Sequence, residues 1–206
     1  VCSSDLGPWC AAPETEKDPD CSALATHPAR LSGLYPSQLQ LDPQFCAKLQ
    51  ARPDAEQLLS PFSVVRADGE GQLRAVPYHQ AYGADMREVA RELDAAALAL
   101  PATEETALRS YLQAAAQAFR TNDWQPADEA WAQMNARNSK WYLRVAPDET
   151  YFEPCARKAG FHLQLARIDQ GSLQWQTLLD PLKNDMEQAL AAKAGPPYVA
   201  RAVSFH

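Results

Sequence analysis

The sequence predicts an α+β fold, mostly helical with a small, largely antiparallel sheet. Two patterns carry this expectation. Apolar residues recur at helical spacing through Met86, Val89, Leu93, Ala97 and Leu100, and again through Leu108, Tyr111, Leu112, Ala115 and Phe119. Beyond Asn138 the period drops to two, and Trp141-Tyr142-Leu143-Arg144-Val145 and Phe161-His162-Leu163-Gln164-Leu165 alternate as strands. Helices therefore dominate the first two-thirds, and no internal repeat is present.

In order along the chain, residues 1–35 form an irregular lead-in, rich in Pro, Asp, Glu, Ser and Ala and poor in periodicity. Val1 to Leu6 is what an in-frame sequencing-adapter end encodes, and the expectation is an artefact to be set aside. The run from Gly7 to Cys21 resembles the spacer after a bacterial lipoprotein anchor, with Cys10 as the acylated residue, although Gly7-Pro8-Trp9 departs from the small and aliphatic residues that precede such a cysteine. Residues 36–206 form a helical α+β lobe. Asp42-Pro43 starts a helix with Phe45 and Leu49 on one face. Asp54 and Gln57 have capping-box spacing for a short second helix. Ser63–Ala67 and Gln72–Val76 flank Asp68-Gly69-Glu70-Gly71 and read as a hairpin, its glycines supplying positive φ.

The two long helices follow, with alanine clusters at 95–97 and 114–116 that permit close approach. A third begins near Pro126, with Asp128 and Glu129 in its first turn and Trp131 and Met134 facing inward. The strand pair encloses a loop from Ala146 to Gly160, Asp180-Pro181 opens another helix, and Gly195-Pro196-Pro197 stops it. Tyr198 to His206 alternates as a last strand. A chain that stops inside a strand is expected to be a truncated piece of a longer one.

Composition narrows the classes. The 206 residues suffice for one large domain or two small ones, and 46% apolar with 22% charged residues is ordinary for a globular protein. A net charge of -7 offers no basic footprint for nucleic acid. No apolar run approaches the roughly 18 residues of a membrane span. The cysteines are Cys2, Cys10, Cys21, Cys46 and Cys155, without CxxC spacing. A disulfide could staple Cys21 to Cys46 in an oxidising compartment, and a buried free thiol is the alternative for Cys46.

The four histidines, His27, His79, His162 and His206, are isolated in sequence, with no HExxH, HxxxH or HxH pair, so the expectation is no metal site and no catalytic residue within these residues. Nothing resembles GxSxG. Cys155 with His162 or His206 is the one nucleophile–base pairing available, and it lacks an orienting third group. The segment Asp148-Glu149-Thr150-Tyr151-Phe152-Glu153-Pro154 is the strongest site element: its carboxylates suit a substrate amino group, and Tyr151 a peptide carbonyl. A solvated acidic loop with an aromatic plug, partly neutralised by Arg157 and Lys158, is the structural alternative.

The stretches NSKWYLRVAPDETYFEPC, KAGFHLQLARID and PYVARAVSFH resemble the N-terminal portion of bacterial proteins related to the dipeptidyl-peptidase III family of zinc metallopeptidases. VPYHQAY, the long helices and NDWQPADEAW fit the same layout, so the resemblance spans about residues 36–206. It implies the N-terminal lobe of a two-lobed exopeptidase, with peptide as substrate and the missing C-terminal lobe as partner. Zinc is then expected in the full-length protein and none in this fragment, since no HExxH or HExxxH element is present. The substrate contacts it implies are Tyr142, Glu149 and Tyr151, and the location a cell envelope, periplasmic or lipid-anchored. A non-catalytic lipoprotein or peptide-binding module is the alternative function.

Overall fold

The computed structural model describes residues 31–101, 103–150 and 153–202, and it is α+β as expected. Three short helices open it: α1 (Ser37–Gln40), α2 (Phe45–Gln50) and α3 (Ala55–Leu58). A hairpin follows, β1 (Ser63–Ala67) with β2 (Leu73–Pro77). Next come α4 (Tyr78–Ala81), α5 (Gly83–Ala99), α6 (Thr106–Thr121) and α7 (Gln125–Ala132). The second hairpin, β3 (Trp141–Glu149) and β4 (Gly160–Arg167), leads to α8 (Leu173–Leu179) and α9 (Lys183–Ala194). Both hairpins are antiparallel two-stranded sheets. No helix among the described residues is long and apolar enough to cross a membrane.

The helical spacing of α5 and α6 is used as the sequence implies. Met86, Ala90 and Ala97 of α5 meet Leu108, Leu112, Ala115 and Phe119 of α6 in the main core. Small alanines at the crossing let the backbones approach closely. Arg109, near the start of α6, donates to the carbonyls of Ala97 (3.0 Å), Leu100 (2.7 Å) and Pro101 (2.6 Å), satisfying acceptors that the end of α5 leaves open.

The first hairpin is a partition between two cores. Successive strand residues point to opposite faces. Val64 enters the main core, whereas Val65 joins Tyr35, Phe45, Leu49, Leu58 and Leu59 in a smaller one beneath α1–α3. Both valines are fully buried, each contributing on the order of 1.5–3 kcal/mol of transfer free energy. Asp68 shapes the turn by accepting from the amides of Glu70 (3.0 Å) and Gln72 (2.8 Å). Of its two glycines only Gly71 needs the left-handed region, at φ 80°.

Several local expectations are corrected. The Asp42-Pro43 start gives way to a helix beginning at Phe45, and Asp42 accepts from the Gln44 amide instead (2.9 Å). Asp54 makes no capping bond, because its carboxylate is taken by Arg52 (2.7 and 2.9 Å). A short helix, α8, forms where none was expected. The last strand does not form over Tyr198–Ala202, where Tyr198 (2.7 Å) and the Arg201 amide (3.2 Å) both turn back onto Glu187 of α9; residues 203–206 lie outside the described residues. A strand needs a neighbour for its ladder, and none lies beside this segment among the described residues.

Candidate functional site

The β3–β4 ribbon carries the site. Its register pairs Ala146 with His162 and Pro147 with Phe161, then slips so that Glu149, not Asp148, stands opposite Gly160. Pro147 has no N–H for the ladder, and the pairing breaks beside it. In a regular strand Asp148 and Glu149 would point to opposite faces. The extra residue cancels that alternation, so both carboxylates reach the face that holds His162.

This polar face also carries Tyr142 and Arg144. The buried Arg144 guanidinium bridges Asp148 (2.6 Å) and Asp128 of α7 (2.8 Å) and lies 4.8 Å from the Trp131 ring centroid. Trp131 in turn meets Tyr142 edge to face at 6.3 Å. The helix α7 is thus docked on the polar face by one buried arginine, a geometry that a planar fork supports and an ammonium does not. Dehydration opposes the charge on Arg144, but the hydrogen bonds it donates to Asp128 and Asp148 outweigh it and hold its pKa above the usual value.

His162 Nδ1 lies 2.7 Å from Asp148 Oδ1 and 3.9 Å from Glu149 Oε1. The nearer oxygen is off the axis of an N–H on that nitrogen, so the buried Nδ1 has no hydrogen-bond partner among the described residues. No lysine or arginine among the described residues pairs with Glu149, whose side chain is 23% exposed.

The segment after β3 is held at several points. Cys155 is joined to Cys46 of α2 by a disulfide. Lys158 is fully buried, its Nζ donating to Ser60 O (3.1 Å) and Ser63 Oγ (3.0 Å), and its amide donates to Glu153 (3.2 Å). Burial lowers the Lys158 pKa to about 8, and the charge of Glu153 offsets it only in part. The Ala159 amide donates to Pro61 O (2.9 Å), and its carbonyl accepts from the Tyr78 hydroxyl (2.8 Å). On the other flank the Tyr111 hydroxyl accepts from Val145 N (2.9 Å) and donates to Val145 O (3.1 Å), satisfying the outer edge of β3.

Of the expected contacts, Glu149 sits in the carboxylate cluster, whereas Tyr142 lies at the opposite end of β3, lining a cavity of about 540 Å³ with Trp131, Met134, Trp141 and Leu173. Tyr151 and Phe152 lie outside the described residues. The cysteine-nucleophile reading is overturned, because the Cys155 sulfur is spent in the disulfide. The Cys46 partner is Cys155, and Cys21 lies outside the described residues. Neutralisation by Lys158 is narrowed to Glu153, whose charge it feels: its ammonium bonds Ser60 and Ser63, and Arg144 is the cation on Asp148. The isolation of His162 holds only along the chain, since folding brings it within ligand distance of two carboxylates.

No protein-family model matches the sequence, and no curated protein does. The fold, however, is similar to two solved structures. Against dipeptidyl-peptidase III from Corallococcus sp. strain EGB the TM-score is 0.63 at 21% identity, covering 81% of this chain and 30% of that one. Against DPP III from Caldithrix abyssi it is 0.69 at 24% identity, covering 89% of this chain and 33% of that one. The chain therefore spans about a third of the length of these solved chains. In fold, it is a dipeptidyl-peptidase III-like α+β segment.

Proposed function

We propose that this chain is the peptide-holding segment of a dipeptidyl-peptidase III-like zinc exopeptidase. Glu149 accepts the free amino group of a peptide laid along the polar face of β3, and Tyr142 contacts the same peptide further along. The observation that supports this reading is the Glu149 carboxylate itself. The bulge aims it to the polar face, it remains partly solvated, and it lacks a lysine or arginine partner among the described residues. An ammonium supplies the charge-assisted hydrogen bonds that such a group accepts.

The separation of the two contacts constrains the ligand. Seven residues of strand put Tyr142 and Glu149 roughly 20 Å apart. A dipeptide unit spans only about 7 Å. The two side chains therefore serve different parts of a longer peptide, with Tyr151 taking a backbone carbonyl near the amino end.

The zinc that such an enzyme requires would activate water at the scissile bond. The 206 residues hold no HExxH or HExxxH element to bind it, so its ligands would belong to the partner lobe of the parent chain. The Cys46–Cys155 disulfide supports an oxidising location, such as the envelope of a bacterial cell, with or without a lipid anchor.

Isothermal titration of the chain with a tetrapeptide and its N-acetylated counterpart tests the reading. The free amine is expected to bind at least about tenfold more tightly, the worth of a hydrogen bond to a charged group. Glu149→Gln erases that difference and leaves the acetylated peptide unaffected. Equal binding of the two peptides by the unaltered chain would reject the assignment.

A further inference from the structure

We propose that Asp148, Glu149 and His162 form a binding site for one divalent transition-metal ion of the zinc class. Their donor atoms all lie within 4.8 Å of one another. Metal–ligand bonds of about 2.0–2.2 Å put tetrahedral donors roughly 3.3 Å apart. The distances from Nδ1, 2.7 Å to Asp148 and 3.9 Å to Glu149, bracket that value.

An acidic pair alone would mean little, and the histidine is the independent observation. Its side chain is only 6% exposed, and its Nδ1 faces the carboxylates without a hydrogen bond among the described residues. A buried nitrogen in that state is costly unless something binds its lone pair. A metal ion is an electron-pair acceptor that can approach from between the carboxylates, which are 34% and 23% exposed.

The surroundings agree in charge and orientation. Among the described residues Asp128 and Asp148 share one cation, Arg144, and Glu149 pairs with no lysine or arginine, which leaves two negative charges unmatched, the charge of one divalent ion. Arg144 holds Asp148 through Oδ2 and so fixes Oδ1 towards His162, the kind of outer support that orients metal-binding carboxylates. One imidazole with two carboxylates suits zinc or manganese, whereas calcium and magnesium favour oxygen donors alone. Three protein ligands leave a coordination position for solvent.

The site does not depend on the peptide reading, and it has a consequence for it: an ion on Glu149 excludes an ammonium from the same oxygens. The test is titration of the EDTA-treated full chain with cobalt(II) as the spectroscopic stand-in for zinc, followed by zinc competition. The expected result is one equivalent bound, with visible bands of nitrogen and oxygen ligation and no thiolate charge-transfer band in the near ultraviolet. His162→Gln and Glu149→Gln should each weaken binding by at least about tenfold. His79→Gln should leave it unchanged, and circular dichroism of each metal-free variant checks its fold.

No binding by the folded chain overturns the proposal. So does equal affinity in both site variants, and a thiolate band would then move the ion to the cysteines of residues 1–30. Peptide titration in EDTA separates the two readings. Metal-free peptide binding with no cobalt site removes only the metal, and a cobalt site with no amine preference removes only the peptide.

Discussion

Replacing both half-cystines, as Cys46→Ser/Cys155→Ser, should lower stability by several kcal/mol. The disulfide spans 109 residues, so reduction frees an unfolded chain that had been closed into a long loop. The chain-entropy relation gives about 4.8 kcal/mol at 25 °C for a loop of that length. Native disulfides commonly deliver about 2–5 kcal/mol, because real unfolded states are not ideal chains. The measurement is urea unfolding of the variant against the oxidised chain, with the slope fitted as well as the midpoint. The slope should rise, since an uncrosslinked unfolded chain exposes more surface. A thermal scan should show a fall of about 10 °C. The same variant should bind amino-terminal peptides less selectively, because Cys155 anchors the segment that follows Glu149 to α2. A loss under about 1 kcal/mol with an unchanged slope would refute the reasoning. It would mean that the unfolded chain is already restrained by something other than the crosslink.

Lys158 should make stability rise with pH over the window from about 8 to 10.5. Its pKa is about 8 when folded and 10.5 when free, so across that window the unfolded state binds more protons and alkalinity favours the fold. The gain is roughly 1–3 kcal/mol. It should vanish in Lys158→Met, and a flat profile in the unaltered chain counts against the buried ammonium. Tyr111→Phe should cost about 1–3 kcal/mol by urea unfolding, since it strands both the N–H and the carbonyl of Val145 at the outer edge of β3. A change under a few tenths would show that water replaces the hydroxyl there.

Much of the fold was legible because local chemistry and tertiary packing agree. The stripes of α5 and α6 and the Asp68 turn each satisfy a local rule that the core also uses. The residues that departed from expectation answer to partners that a spacing rule does not rank. Asp54 has capping spacing but meets Arg52 first, and Tyr198–Ala202 alternates but finds no strand to pair with. Cys46 chose a partner across 109 residues, and sequence spacing ranks no such pairing. At the site, Glu149 and the acidic segment were visible as residue types. His162 was not, because its proximity follows from a ribbon register and a one-residue slip. Pro147 beside two acidic residues was the available signal, since proline interrupts a ladder. Lys158 misled for the opposite reason: an apparently neutralising charge is held inside by Ser60 and Ser63.

The slip at Asp148 also makes the site sensitive to length as well as to residue identity. Deleting Asp148 would leave Glu149 opposite Gly160 in an uninterrupted ribbon, so its carboxylate keeps the polar face while Arg144 loses one of its two carboxylates. Adding one residue instead would turn Glu149 towards the side of Val145 and Leu163, where the ribbon presents hydrocarbon. A change of a single codon, with every neighbouring side chain intact, thus moves this hairpin between two carboxylates on its polar face and one.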